Sequence, residues 1–223
     1  MQLQTTERLF YNKWPIKVEC RIHGASFLNR NGIDLTIRTC NGEKTMFDLD
    51  RKNIDKIDLK KFAKIVKPIL ETGNVQVRTE GKHYNIFLSD RDLFAKIKKD
   101  LYPWITHITS PSTDEEFNFL MNNGHKKVLC AELPHKKFRY RVYLKERTSR
   151  ETRGKFLKWA ENYKDKSIKI SKTTEVWLNG GKFYIQNPFF YVENEKMLSM
   201  MLLFLDGNHK KVQEFILKSS INT

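Results

Sequence analysis

The stretch 133–145, Leu-Pro-His-Lys-Lys-Phe-Arg-Tyr-Arg-Val-Tyr-Leu-Lys, constrains this chain more than any other. From Lys137 onward, Phe138, Tyr140, Val142 and Leu144 alternate with Lys137, Arg139, Arg141, Tyr143 and Lys145. A period of two predicts a strand buried on one face. One face is apolar. The other is a cationic strip carrying a tyrosine, a composition suited to holding a phosphate backbone and stacking a base.

The rest of the chain supplies partners for such a strand. Residues 14–23 alternate in the same way, with Ile16, Val18, Cys20 and Ile22 on one side. A second short strand is expected over 33–40, between the turn formers Asn31-Gly32 and Asn41-Gly42. From Asp58 the period becomes helical: Leu59, Phe62, Ile65, Val66, Ile69 and Leu70 form one stripe, and Pro68 is expected to break or kink the helix near its end. A hairpin follows, 75–79 with 84–88 around Glu80-Gly81, and then a helix capped at Ser89-Asp90-Arg91-Asp92. A strand over 104–109, a helix over 114–122 and a strand over 126–131 lead back to Pro134.

After the strip the order recurs. Thr148-Ser149-Arg150-Glu151 caps a helix striped by Phe156, Leu157, Ala160 and Tyr163. A long strand over 167–178 is expected to turn at Asn179-Gly180-Gly181 into another over 182–192. A helix led by Glu193-Asn194-Glu195 and a closing strand over 211–217 complete the chain. Strand, helix, hairpin, helix, strand in both halves matches the β-α-β-β-α-β order. The expected fold is therefore α+β: two ferredoxin-like units in tandem, with antiparallel sheets and helices on one face. The boundaries read as 1–125 for an N-terminal α+β unit and 126–223 for a strongly basic C-terminal one.

Charge points to a partner. Of 223 residues, 41 are Lys or Arg and 26 are Asp or Glu, a net charge of +15. From Leu133 to the end the counts are 19 against 9, so this part holds most of the excess. A field of this sign suits a polyanion, by default nucleic acid. Cys20, Cys40 and Cys130 are odd in number and widely spaced, which reads as reduced thiols in a cytoplasmic protein. The polar N-terminus reads as lacking a signal peptide, and the longest apolar run, 197–205, is about half of the roughly 20 residues a membrane span needs. No membrane partner and no cofactor are expected.

Catalytic signatures are sparse. The glycine-rich nucleotide-binding loops and the G-x-S-x-G elbow are missing from the sequence. The six histidines never fall two to four residues apart, so no local metal pair is expected. Glu19 and Glu175 read as single solvated acids on strands. His107-Ile108-Thr109 fits one half of a two-histidine phosphoesterase pattern, whose second copy the sequence lacks. What stands out is basic and aromatic. The candidate nucleic-acid-binding residues are Lys137, Arg139, Arg141, Tyr143 and Lys145 on the strip, Arg147, Arg150 and Arg153 on and before the next helix, and Lys182 and Tyr184 on the strand expected beside it.

At 133–145, and again at Tyr191-Val192-Glu193-Asn194-Glu195-Lys196-Met197-Leu198, the chain resembles uncharacterised proteins of marine tailed bacteriophages. The resemblance covers mainly 133–223. It implies a viral origin, a host-cytoplasmic setting and a possible viral or host protein partner, and it brings no catalytic residues with it. The leading reading is a non-catalytic viral protein that binds single-stranded RNA or DNA on a basic and aromatic sheet face. Two rivals stand beside it. One is a phosphodiester-cleaving nuclease using His107 or His135 as general acid or base. The other is a structural or packaging-associated protein that neutralises nucleic-acid charge.

Overall fold

The computed structural model describes residues 1–29, 32–43, 54–124, 126–181 and 184–221. The chain divides into two units, Met1–Phe117 and Asn118–Thr223. The division falls inside a helix, Asp114–Asn123, rather than after residue 125. Each unit is α+β and is built on one five-stranded sheet.

In the first unit the strands are β1 (Gln2–Thr5), β2 (Ile16–Arg21), β3 (Val75–Glu80), β4 (His83–Leu88) and β5 (Ile105–Ser110). They lie in the order β1-β5-β2-β4-β3. Among the described residues three helices accompany them: α1 (Ile33–Cys40), α2 (Lys56–Glu71) and α3 (Arg91–Asp100). Ile16, Val18 and Cys20 of β2 meet the stripe of α2, including Leu59, Phe62 and Val66, in one core. Phe62 packs edge-on against Tyr84 of β4, with ring centroids 5.3 Å apart. Gly81, at φ 59, lets β3 turn directly into β4.

The second unit repeats the plan. After helix α4 (Asp114–Asn123) come β6 (Lys127–Cys130), β7 (Tyr140–Leu144), α5 (Arg150–Glu161), β8 (Ile168–Ile170), α6 (Lys172–Leu178), β9 (Phe189–Val192), α7 (Glu195–Leu205) and β10 (His209–Leu217). The sheet order is β6-β10-β7-β9-β8, the same permutation as in the first unit. Its core joins Val142 and Leu144 of β7 to Phe156, Trp177, Met201 and Leu205.

The likeness extends to irregularities. In each unit the fifth strand carries one extra residue opposite the second strand. Cys20 pairs with Ile105 and Glu19 with His107, which leaves Thr106 bulged. Leu144 pairs with His209 and Tyr143 with Lys211, which leaves Lys210 bulged. In each unit, too, the segment before the second strand turns through two consecutive left-handed residues, Tyr11 and Asn12 in one and His135 and Lys136 in the other. That conformation crowds a Cβ and needs tertiary support. In both cases the segment then covers an aromatic ring on the sheet's outer face. Phe10 and Tyr11 lie 5.5 and 5.0 Å from Phe87, and His135 lies 5.4 Å from Tyr191.

Several expectations are corrected. The sheets are mixed, not antiparallel, because β1 runs parallel to β5 and β6 parallel to β10. Residues 33–40 form helix α1, not a strand. Ile33, Ile37 and Cys40 share a helical spacing, and the Asn29 side chain accepts a hydrogen bond from Gly32 N as the helix starts. Pro68 is carried inside α2, which continues to Glu71. Its missing N–H removes one helical hydrogen bond, to the carbonyl of Lys64, and burial of Ile69 and Leu70 keeps the last turn in place. The strand expected over 167–178 ends at Ile170, because the Ser171 hydroxyl caps α6 by accepting from Thr174 N, and Trp177 and Leu178 are buried on that helix. The strand expected over 182–192 is reduced to Phe189–Val192, and Lys182 lies outside the described residues.

The strip itself starts later than its alternation suggests. Pro134 opens a 3-10 turn, and β7 begins at Tyr140. Phe138 is buried, but against His135 and Tyr191 on the outer face rather than beside Tyr140 in the core.

Core burial sets a test of this account. Trp177 is fully buried, whereas Leu203 on α7 is 82% exposed. Trp177→Ala should lower the stability of the second unit by about 3–5 kcal/mol, and Leu203→Ala by less than about 0.5 kcal/mol. Denaturant midpoints measure both.

Candidate nucleic-acid interface

Strand alternation makes Arg141 and Tyr143 point away from the second unit's core. Cross-strand register sets Arg141 opposite Tyr191 and Gln213, and Tyr143 opposite Phe189 and Lys211. The result is an aromatic surface around one cation. The Arg141 guanidinium lies 5.1 Å from the Phe189 ring, 5.1 Å from Tyr191 and 4.9 Å from Phe215. It donates to the hydroxyls of Tyr143 at 3.2 Å and Tyr191 at 2.9 Å. Burial works against its charge, but the hydrogen bonds to the two tyrosines hold its pKa above the ordinary arginine value. Its Nε is buried with no hydrogen-bond partner among the described residues.

Beside this caged arginine the surface opens. Tyr143, Phe189 and Tyr191 are each partly exposed. Lys211, directly after the bulge, holds its ammonium 4.4 Å from the centre of the Tyr143 ring. Lys145 and Arg147 follow Tyr143 and are exposed.

The other candidates from the sequence are dispersed. Lys137 pairs with Glu193 at 3.3 Å, and Arg139 pairs with Glu214 at 2.8 Å. The Arg150 guanidinium sits where a side chain on Gly180 would project. Arg153 is committed to structure: it donates to the Trp177 carbonyl at 2.8 Å, near the end of α6, and its guanidinium lies 4.6 Å from the Trp177 ring. Tyr184 is 66% exposed in the loop before β9 and is not a strand neighbour of Tyr143. Phe189, Tyr191, Phe215 and Lys211 take the places imagined for Lys182 and Tyr184. Their signal was present in Phe189-Phe190-Tyr191, an aromatic run directly after Pro188, but the expected long strand put its phase elsewhere.

The first unit's outer face carries a different constellation. Glu19 lies in the middle of the sheet, and its Oε2 accepts from Lys17 Nζ at 2.9 Å. Its Oε1 lies 3.0 Å from His83 Nδ1 and 3.4 Å from His107 Nδ1. The first contact is a hydrogen bond. The second lies within ion-pair distance but is not aligned as a hydrogen bond, so His107 Nδ1 is buried with no hydrogen-bond partner among the described residues. Burial alone would raise the Glu19 pKa, but the Lys17 hydrogen bond and the charges of Lys17, His107 and His83 hold it below the usual glutamate value. An ionised carboxylate only accepts, so His83 carries its proton on Nδ1. Glu19 is thus not the solvated acid expected. Glu175 is on helix α6, where it pairs with Lys164 at 2.5 Å.

Of the remaining histidines, His23 is exposed, His135 packs edge-on against Tyr191 on the outer face of the second unit, His209 opens β10, and residue 125 lies outside the described residues. Among the described residues no group of three or more His, Cys, Asp or Glu could hold a metal ion, and no helix is long and apolar enough to cross a membrane. Comparison with protein-family models, with curated proteins and with solved structures finds no match to this chain.

A carboxyl group with a depressed pKa stabilises the fold above its unfolded value, and that contribution is lost as pH falls through the folded value. For Glu19 the window opens near 4.5 and extends below it. Urea midpoints taken at neutral pH and below that window should fall less in Glu19→Gln than in the wild-type chain. Equal falls would show that the Lys17 and histidine contacts contribute no stability.

Proposed function

We propose that this protein binds single-stranded nucleic acid on the outer sheet face of its second unit. The observation that carries the reading is the partly exposed Tyr143, Phe189 and Tyr191 surface held around the Arg141 guanidinium. Bases stack on such rings with little regard to sequence, because every base has a π-face. Arg141 acts mainly by positioning. It is already caged, so it fixes the rings, while Lys211, Lys145 and Arg147 at the open end supply contacts to phosphate. The net charge of +15 supports a polyanionic partner.

In the same spirit we read the last four strands of each sheet as a ferredoxin-like unit with an added leading strand. The orders β5-β2-β4-β3 and β10-β7-β9-β8 support it, as do the antiparallel pairings within each set. A viral protein acting in the host cytoplasm suits the three free cysteines and the resemblance to phage proteins.

Affinity for single-stranded RNA and DNA, measured against salt, tests the binding. Log K should fall linearly with log salt. Lys211→Ala and Lys145→Ala should each reduce the slope by about one unit. Tyr143→Ala should weaken binding by about 1–3 kcal/mol while leaving the slope unchanged. Binding that ignores salt, or that survives all three changes, would sink the proposal.

A further inference from the structure

The Glu19, His83 and His107 cluster of the first unit lies far in sequence from the stacking surface and needs its own account. Three strands build it. Glu19 stands on the central β2, directly opposite His107 of β5, and His83 of β4 reaches it from the other side. The bulge at Thr106 is what puts His107 there. Ile105 and Ile108 both face the core, which a regular strand forbids for residues three apart, so the extra residue turns His107 outward. Thr106 then fixes the bulge by donating through Oγ1 to the Glu19 carbonyl at 3.1 Å.

The chemistry follows from which atoms face inward. Both Nδ1 atoms lie within 3.4 Å of one Glu19 oxygen, so the Nε2 edge of each ring is turned away from the carboxylate. The side chains of His83 and His107 are 49% and 35% exposed, against 18% for Glu19. Two solvent-reachable imidazoles facing one half-buried acid are the parts of an acid–base pair. Lys17 offsets the Glu19 charge, and Arg21, paired in register with His83 and exposed, adds a cation beside it. With one imidazole protonated the cluster is net positive, as a phosphate group requires.

We infer that His83 and His107 form an acid–base site that cleaves single-stranded RNA by transesterification, with Glu19 as the positioning residue. The inference of RNA as substrate rests on the nucleic-acid-binding reading. RNA suits the pair because it carries its own nucleophile. The neutral imidazole takes the proton of the ribose 2′-hydroxyl at Nε2 as the 2′-oxygen bonds to phosphorus. The imidazolium gives its Nε2 proton to the departing 5′-oxygen as the phosphorus bond to that oxygen breaks. The products are a 2′,3′-cyclic phosphate and a free 5′-hydroxyl. The two rings end with exchanged protonation states, which water resets. DNA lacks the 2′-hydroxyl and is not a substrate for this step.

The full chain is incubated with chelator and 5′-labelled single-stranded RNA, beside DNA of the same sequence, and with uridylyl-adenosine, which is too short to occupy an extended binding face. RNA and the dinucleotide should be cut to cyclic phosphate ends, with DNA intact and a bell-shaped pH profile. His83→Asn and His107→Asn should each slow cleavage about 100-fold or more. Glu19→Gln should shift the limbs of the profile. Thermal unfolding and RNA affinity of the same preparations check folding and binding, and His83→Gln and His107→Gln serve if an asparagine variant unfolds. RNA that is bound but left whole, together with an intact dinucleotide, overturns the site and leaves the binding reading standing. Cleavage undiminished in the double histidine variant also overturns it. A cut dinucleotide with unbound RNA keeps the site and refutes the binding reading.

Discussion

The pairing of each central strand with a bulged neighbour is the constraint on which the outer faces depend. In a regular strand successive side chains alternate, so one residue's phase sets every other. One extra residue at Thr106 or Lys210 resets that phase partway along the fifth strand. Before the bulge Ile105 belongs to the core, and beyond it Ile108 does as well, while His107 is turned out over Glu19. In the second unit the same device sets Lys211 against Tyr143. Each bulge therefore aims one polar side chain, His107 or Lys211, at the middle of a sheet.

The two units use one plan for two chemistries. Both have the strand permutation in which the leading strand lies parallel to the last, and both fold a left-handed turn back over an aromatic residue of the fourth strand. Corresponding positions on the central strands differ: Lys17 and Glu19 in one unit, Arg141 and Tyr143 in the other. The first pair collects histidines and the second collects rings.

Much of the plan was legible in residue order. Alternation in Ile16, Val18 and Cys20 and the stripe of Leu59, Phe62 and Val66 reflect burial on one face, which is a local pattern. What escaped notice was set by distant contacts or by single caps. The β-branched residues of 33–40 look like a strand, yet they pack as a helix. Ser171 stops a strand by capping α6, a choice that buried Trp177 makes worthwhile. Arg141 and Tyr143 face outward as the alternation implies, whereas Phe138, buried as expected, lies on the outer face because two left-handed residues before it break the alternation. The histidine pair was hidden for a different reason. His83 and His107 are far apart in sequence, and only the bulge, hinted at by two isoleucines three residues apart, brings the second to Glu19.

The proposed binding of single-stranded nucleic acid on the ring surface around Arg141 has a direct test. Ultraviolet crosslinking of the full chain to a single-stranded RNA oligonucleotide, with the attached residues mapped by mass spectrometry, reports directly on stacking. The account places crosslinks on Tyr143, Phe189 and Tyr191. Crosslinks confined to the lysine-rich face of α2, at Lys60, Lys61 and Lys64, or none at saturating RNA, would contradict it.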